Sequence, residues 1–111
     1  MCYNFRIANR KERTMRERMR ERDIEAYLVA RCRNVGALCY KWTSPGRVGV
    51  PDRICVFPSG RIVFVELKAP GRKPTARQER ELARLRAYGQ KTVVIDSIEL
   101  VDWLFSTGAN G

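Results

Sequence analysis

Residues 49–71 read GVPDRICVFPSGRIVFVELKAPG, and the way this stretch is folded decides the rest. Two apolar runs, DRICVF and RIVFVELK, flank Pro58-Ser59-Gly60, a three-residue hairpin loop with glycine where the backbone turns left-handed. Such a loop pairs Phe57 with Arg61, and counting outward pairs Asp52 with Glu66. Directly opposed residues hold their Cβ atoms roughly 4.5–5.5 Å apart on one face. Alternation adds Lys68 to that face, at one end of the hairpin, with Ile54, Val56, Ile62 and Phe64 beneath. A slip of one residue would send Glu66 to the other side, so the turn fixes the chemistry.

An acid and a base inside a strand-like run are costly to desolvate unless something compensates them. Two opposed carboxylates repel unless a proton or cation lies between them. The sequence contains no histidine, which excludes histidine-based acid–base chemistry and Ser-His-Asp triads. With oxygen donors alone, the natural occupant is a hard divalent ion, Mg²⁺ or Mn²⁺. Such an ion polarises a phosphoryl oxygen and acidifies a bound water, which Lys68 could orient. An ion-pair network of Asp52, Lys68 and Glu66 at a sheet edge is the competing reading of the same residues.

At 111 residues the chain is long enough for one domain and too short for two. Its 22 Lys and Arg against 12 Asp and Glu leave a net charge of +10, which favours nucleic acid or another polyanion as partner. Solubility alone is the weaker explanation, because acidic residues serve it at least as well. Cys2, Cys32, Cys39 and Cys55 form no CxxC pair, which argues against zinc fingers. The last three sit among apolar neighbours, as small core residues do. No apolar run approaches the roughly 20 residues of a membrane span, and no signal-peptide pattern follows the basic N-terminus. The expectation is a cytoplasmic protein without membrane association.

Outward from the hairpin, Thr14 and Glu17 form a capping-box pattern that predicts a helix from near Met15. Ile24, Tyr27, Leu28, Arg31 or Cys32, and Val35 give it one apolar face, and Gly36 stops it. ALCYKW (37–42) reads as a strand and TSPGRVGVP as a Gly/Pro-rich loop. Thr75 and Gln78 form a second capping box, opening a helix that Gly89 ends. TVVID is a short buried strand, and Ser97 caps a final helix, IELVDWLF. The expected architecture is α/β: a mixed sheet with a helix-strand-strand-strand-helix-strand core. Residues 1–14 are expected to be a flexible basic arm, 15–106 the folded domain and 107–111 a disordered tail.

VPD followed fourteen residues later by ELK resembles the PD-(D/E)xK nuclease signature. More narrowly, KWTSPGRVGVPDRI…GRIVFVELKAPGRKPTARQ resembles the VRR-NUC family in its short stand-alone form from phages and bacteria. The likeness covers about residues 21 to 105. It implies a restriction-endonuclease-like fold and a Mg²⁺- or Mn²⁺-dependent endonuclease. Asp52, Glu66 and the backbone carbonyl of Leu67 would hold the metal, and Lys68 would assist the attacking water. The family also uses a glutamate on the first helix, best matched by Glu25, with Glu21 as the alternative. Gln78 matches a family glutamine after ExK, although the capping box explains it equally. The resemblance further implies a homodimer acting on branched DNA such as Holliday junctions.

Arg47, Arg53, Arg72, Lys73 and Arg77 flank the carboxylates and fit a track for DNA phosphates, which position a duplex without reading its sequence. The alternatives are a nuclease for flaps or single strands, and a non-catalytic basic DNA-binding protein. Trp103, Leu104 and Phe105 exceed what a short helix needs for packing on one sheet. They could therefore include part of a dimer contact, with core packing the simpler explanation.

Overall fold

The computed structural model describes residues 18–106. Helix α1 (Glu21–Val35) leads into strand β1 (Leu38–Lys41), a long loop, and strands β2 (Arg53–Val56) and β3 (Ile62–Leu67). Helix α2 (Ala76–Ala87), strand β4 (Lys91–Ile95) and helix α3 (Ile98–Ser106) complete the order. The sheet runs β1-β2-β3-β4, antiparallel at the first two pairings and parallel at β3–β4. This is the mixed α/β architecture that the sequence predicts. Strands β1, β2 and β3 are each shorter than predicted by a residue at either end, where pairing frays, and β4 keeps its predicted length one residue earlier in the chain.

The hairpin has the expected turn. Phe57 N–H donates to Arg61 O at 2.8 Å, and Gly60, at φ 95°, donates to Phe57 O at 2.8 Å. Val56 faces Ile62 and Arg53 faces Val65, which is the register the turn predicts; the ladder ends there, with Asp52 one residue beyond β2.

One face of the sheet carries the core. Cys55, Val63, Val65, Leu67 and Ile95 point to it and meet Ile24, Leu28 and Cys32 of α1 with Val101 and Leu104 of α3. Asp102 joins the two helices, accepting from Tyr27 Oη at 2.7 Å and Arg31 Nη1 at 2.6 Å. Phe105 stacks edge-on against Phe57 beneath the Arg31 guanidinium, and Leu104 is buried. Core packing therefore accounts for both, and Trp103 is the exposed member of the trio. The other face carries Ile54, Phe64 and Glu66. There Arg86 of α2 donates to Thr92 Oγ1 at 2.7 Å, so α2 covers the β4 side and leaves Tyr40, Ile54 and Ile62 partly open.

Helix α1 departs from expectation at its start. The sequence predicts one continuous helix from near Met15, but although Arg18 is helical, Arg20 is extended (φ −111°, ψ 163°) and α1 begins at Glu21. The reason is local: the Asp23 carboxylate takes the Arg20 N–H at 2.9 Å, so that donor no longer continues a preceding helix. The Thr14–Glu17 pattern, the 1–14 arm and the 107–111 tail lie outside the described residues. Val35, expected on the apolar face, is 45% exposed. The Thr75–Gln78 capping box forms as predicted, with Gln78 N to Thr75 Oγ1 at 3.2 Å and Thr75 N to Gln78 Oε1 at 2.9 Å.

Gly49 fastens the 42–52 loop to α2. Its φ is 92°, and a Cβ there would lie 3.1 Å from the Arg77 carbonyl oxygen. Gly49→Ala is expected to cost about 1–3 kcal/mol, since both the backbone conformation and the contact must yield. A lower urea midpoint with an unchanged slope checks this.

Candidate active site

Asp52 closes the open end of the β2–β3 ladder. Its carbonyl accepts from Trp42 N at 2.9 Å, and its own carboxylate oxygen Oδ2 accepts from Leu67 N at 2.8 Å. Here a side chain replaces the main chain as the partner of β3. On the opposite edge Lys68 N donates to Ile95 O at 3.0 Å, so the end of β3 is held from both sides.

Glu66 is 1% exposed, and its Oε1 has no hydrogen-bond partner. Lys68 Nζ stands 3.6 Å from the other oxygen. Burial pushes the Glu66 carboxyl up from 4.5 to about 7; Asp52 and Glu21 push in the same direction, and Lys68 opposes them. Lys68 therefore offsets the Glu66 charge only in part, and the carboxyl holds its proton more tightly than a free one does. Asp52 and Glu21 act electrostatically on this orphaned, buried oxygen, and all three groups are hard oxygen donors of the kind a divalent ion takes, but among the described residues their oxygens do not gather within 4.8 Å of one another.

Glu21 is the third acid. Burial raises its pKa first and Asp52 second, so it belongs electrostatically to the Asp52–Glu66 cluster. Glu25, one turn later, turns to the inner face of the sheet. It receives Arg53 Nε at 2.8 Å and lies 3.5 Å from Lys41 Nζ. Arg53 also donates to Cys39 O at 3.2 Å and is only 17% exposed, which sets it apart from the surface arginines grouped with it on sequence grounds. Helical periodicity placed both glutamates on α1; which one reaches the carboxylates depends on how α1 crosses the sheet. Gln78 keeps its side chain in the α2 capping box.

Arg47, Arg77, Arg80 and Arg84 line a cleft of about 520 Å³ between the 46–48 loop and α2, with Arg47 Nε held by buried Glu81 at 2.9 Å. The sequence reading chose Arg47 and Arg77 and missed Arg80 and Arg84. The i, i+3 and i+7 spacing from Arg77 was the available signal, since it aligns all three on one stripe. Arg72 and Lys73 are exposed on the loop between β3 and α2.

No family model matches the chain. It is 54% identical over 82 residues to "Putative nuclease p44" of Acyrthosiphon pisum secondary endosymbiont phage 1, a span that is 74% of this chain and 88% of that protein. A solved structure described as a VRR-NUC domain superimposes with a TM-score of 0.74 at 35% identity, covering 78% of this chain and 95% of that one. Among the described residues, no helix is long and apolar enough to cross a membrane.

Proposed function

The chain belongs to the VRR-NUC family of nucleases, and from that premise we propose that it is a Mg²⁺- or Mn²⁺-dependent DNA endonuclease that works as a homodimer on branched DNA such as Holliday junctions. The observation that carries the proposal is the buried, unpartnered Oε1 of Glu66 beside Asp52. Asp52, Glu66 and the Leu67 carbonyl would hold the ion, with Glu21 taking the helix position in preference to Glu25, whose carboxylate is engaged by Arg53. When bound, the ion supplies Lewis acidity to a phosphoryl oxygen and acidifies a water.

The residues of this chain do the rest. Lys68 places an ammonium beside Glu66, where it orients the attacking water and balances charge developing on the phosphate. Gln78, at the start of α2, keeps a supporting role by fixing the N-terminus of the helix that carries Arg77, Arg80 and Arg84. Arg47, Arg72, Lys73 and Arg77, joined by Arg80 and Arg84, form the phosphate track. Arg53 is assigned instead to holding Glu25. Two sites related by a two-fold axis would match a four-way junction, which needs two coordinated cuts.

A panel of labelled junction, flap, splayed and linear DNAs tests the reading. Paired nicks in the junction are expected with Mn²⁺ or Mg²⁺, and none in chelator. Preferential flap or single-strand cleavage, or a monomer in sedimentation, would redirect the substrate. Binding without cleavage under any ion would leave a basic DNA-binding protein. Duplex affinity should also fall steeply with salt, by about 0.9 in log–log slope per phosphate contact. Arg80→Ala and Arg84→Ala are each expected to lower that slope by about one contact, measured by fluorescence anisotropy across a salt series.

A further inference from the structure

The three cysteines that read as separate core residues converge. Cys32 comes from α1, Cys39 from the edge strand β1 and Cys55 from β2, where the last two are direct cross-strand partners. Cys55 Sγ lies 3.8 Å from Cys32 Sγ and 3.9 Å from Cys39 Sγ, and all three sulfurs fall within 4.8 Å of one another. All three are free thiols.

Those separations have a chemical meaning. An ion bound at about 2.3 Å to each thiolate keeps its sulfurs about 3.8 Å apart in tetrahedral geometry and about 4.0 Å apart in trigonal geometry. We propose that Cys32, Cys39 and Cys55 form a second, thiolate metal site for a soft d¹⁰ ion, Zn²⁺ or Cu⁺, distinct from the carboxylate centre. Soft sulfur donors select such ions and reject Mg²⁺ and Mn²⁺, so the two sites sort their metals by donor chemistry.

The surroundings suit the role. Cys32 and Cys55 are sealed in the core, whereas Cys39 is half-buried on the sheet edge and gives an entry path. Cys39 ionises most readily: its hydrogen bonds with Cys32 and then Cys55 stabilise the thiolate, and the charge of Arg53 adds to them. Arg53 also anchors the Cys39 carbonyl and Glu25 together, an outer shell that fixes the β1 ligand against α1. Binding forms three metal–sulfur bonds and releases to solvent the protons of those of the three cysteines that are still thiols, with no electron transferred. The ion would tie α1 to β1 and β2.

The test uses the full chain carrying Cys2→Ser, so that these three thiols alone report, stripped with chelator under reductant. Zn²⁺ and Cu⁺ are offered anaerobically in separate arms, with Cd²⁺ as the optical probe. One ion per chain retained through desalting, a thiolate-to-Cd²⁺ charge-transfer band and roughly two to three protons released per ion are expected. Retention of Cu⁺ alone identifies the trigonal form, and retention of Zn²⁺ a four-coordinate one completed by solvent. Cys39→Ser, at the half-buried position, should weaken retention roughly tenfold or more. Glu66→Gln should leave it unchanged, so failure here is separable from failure of the nuclease reading. No retained ion in either arm, retention indifferent to Cys39→Ser, or a Cys39–Cys55 disulfide in anaerobically purified protein would overturn the site.

Discussion

Glu66→Gln is expected to remove cleavage, by on the order of 10²–10³-fold or more, while making the metal-free protein more stable at neutral and alkaline pH. Both effects have one origin. Glu66 is 1% exposed, and burial, then Asp52 and Glu21, lift its carboxyl from 4.5 to about 7. Between those values the folded protein holds a proton that the unfolded chain has released. Stability from this group is therefore full below pH 4.5 and is lost as pH rises through 7, by at most roughly 3 kcal/mol. In chelator, the wild-type melting temperature should fall over that window and the Glu66→Gln curve should stay nearly flat. Mn²⁺ should rescue the wild type at pH 8 and do little for the variant. A variant that retains cleavage, or a wild-type curve flat from pH 5 to 8, would take Glu66 out of the site.

The second large effect is on Lys68. Its ammonium sits 3.6 Å from Glu66 and lowers the pKa of both Glu66 and Glu21, so it competes with any ion for the same carboxylates. Lys68→Ala should leave Mn²⁺ affinity unchanged or slightly raised. Cleavage should fall by about 10²–10⁴-fold, the range for a lost proton-transfer or charge-stabilising group. Calorimetric Mn²⁺ titration beside single-turnover cleavage separates the two readouts. Parallel losses in both would make Lys68 a structural support of the acids; full cleavage would remove it from the mechanism.

The legibility of this fold followed the range of each interaction. Pro58-Ser59-Gly60 and strand alternation are local, and they were enough to give the β2–β3 register from Val56–Ile62 to Arg53–Val65 and to bring Lys68 beside Glu66. The Thr75–Gln78 capping box was equally readable, because both of its hydrogen bonds lie within four residues. The absence of histidine, legible in the sequence alone, directs the chemistry of the hairpin acids to carboxylates, lysine and oxygen-bound ions. Arg80 and Arg84 were missed although their helical spacing was visible, because a stripe on α2 acquires meaning only when the 46–48 loop closes a cleft over it.

What the chain could not disclose locally depended on how elements cross. Glu21 and Glu25 are one turn apart on α1, and periodicity cannot tell which of them clears the end of the sheet. Packing of Ile24, Leu28 and Cys32 under β1 and β2 sets that angle, sending Glu25 to Arg53 and Glu21 toward Asp52. Arg53 likewise read as one more surface charge until the sheet turned its side chain inward. The three cysteines are the clearest case. They are seven and sixteen residues apart in sequence, without metal-ligand spacing, and they meet only because a helix and two strands stack their inner faces. Sequence by itself determined the hairpin, its register and the acids that it carries, since those rest on backbone period and turn geometry. Tertiary structure decided which distant side chains share a desolvated volume, because hydrophobic packing constrains whole faces and has no fixed spacing along the chain.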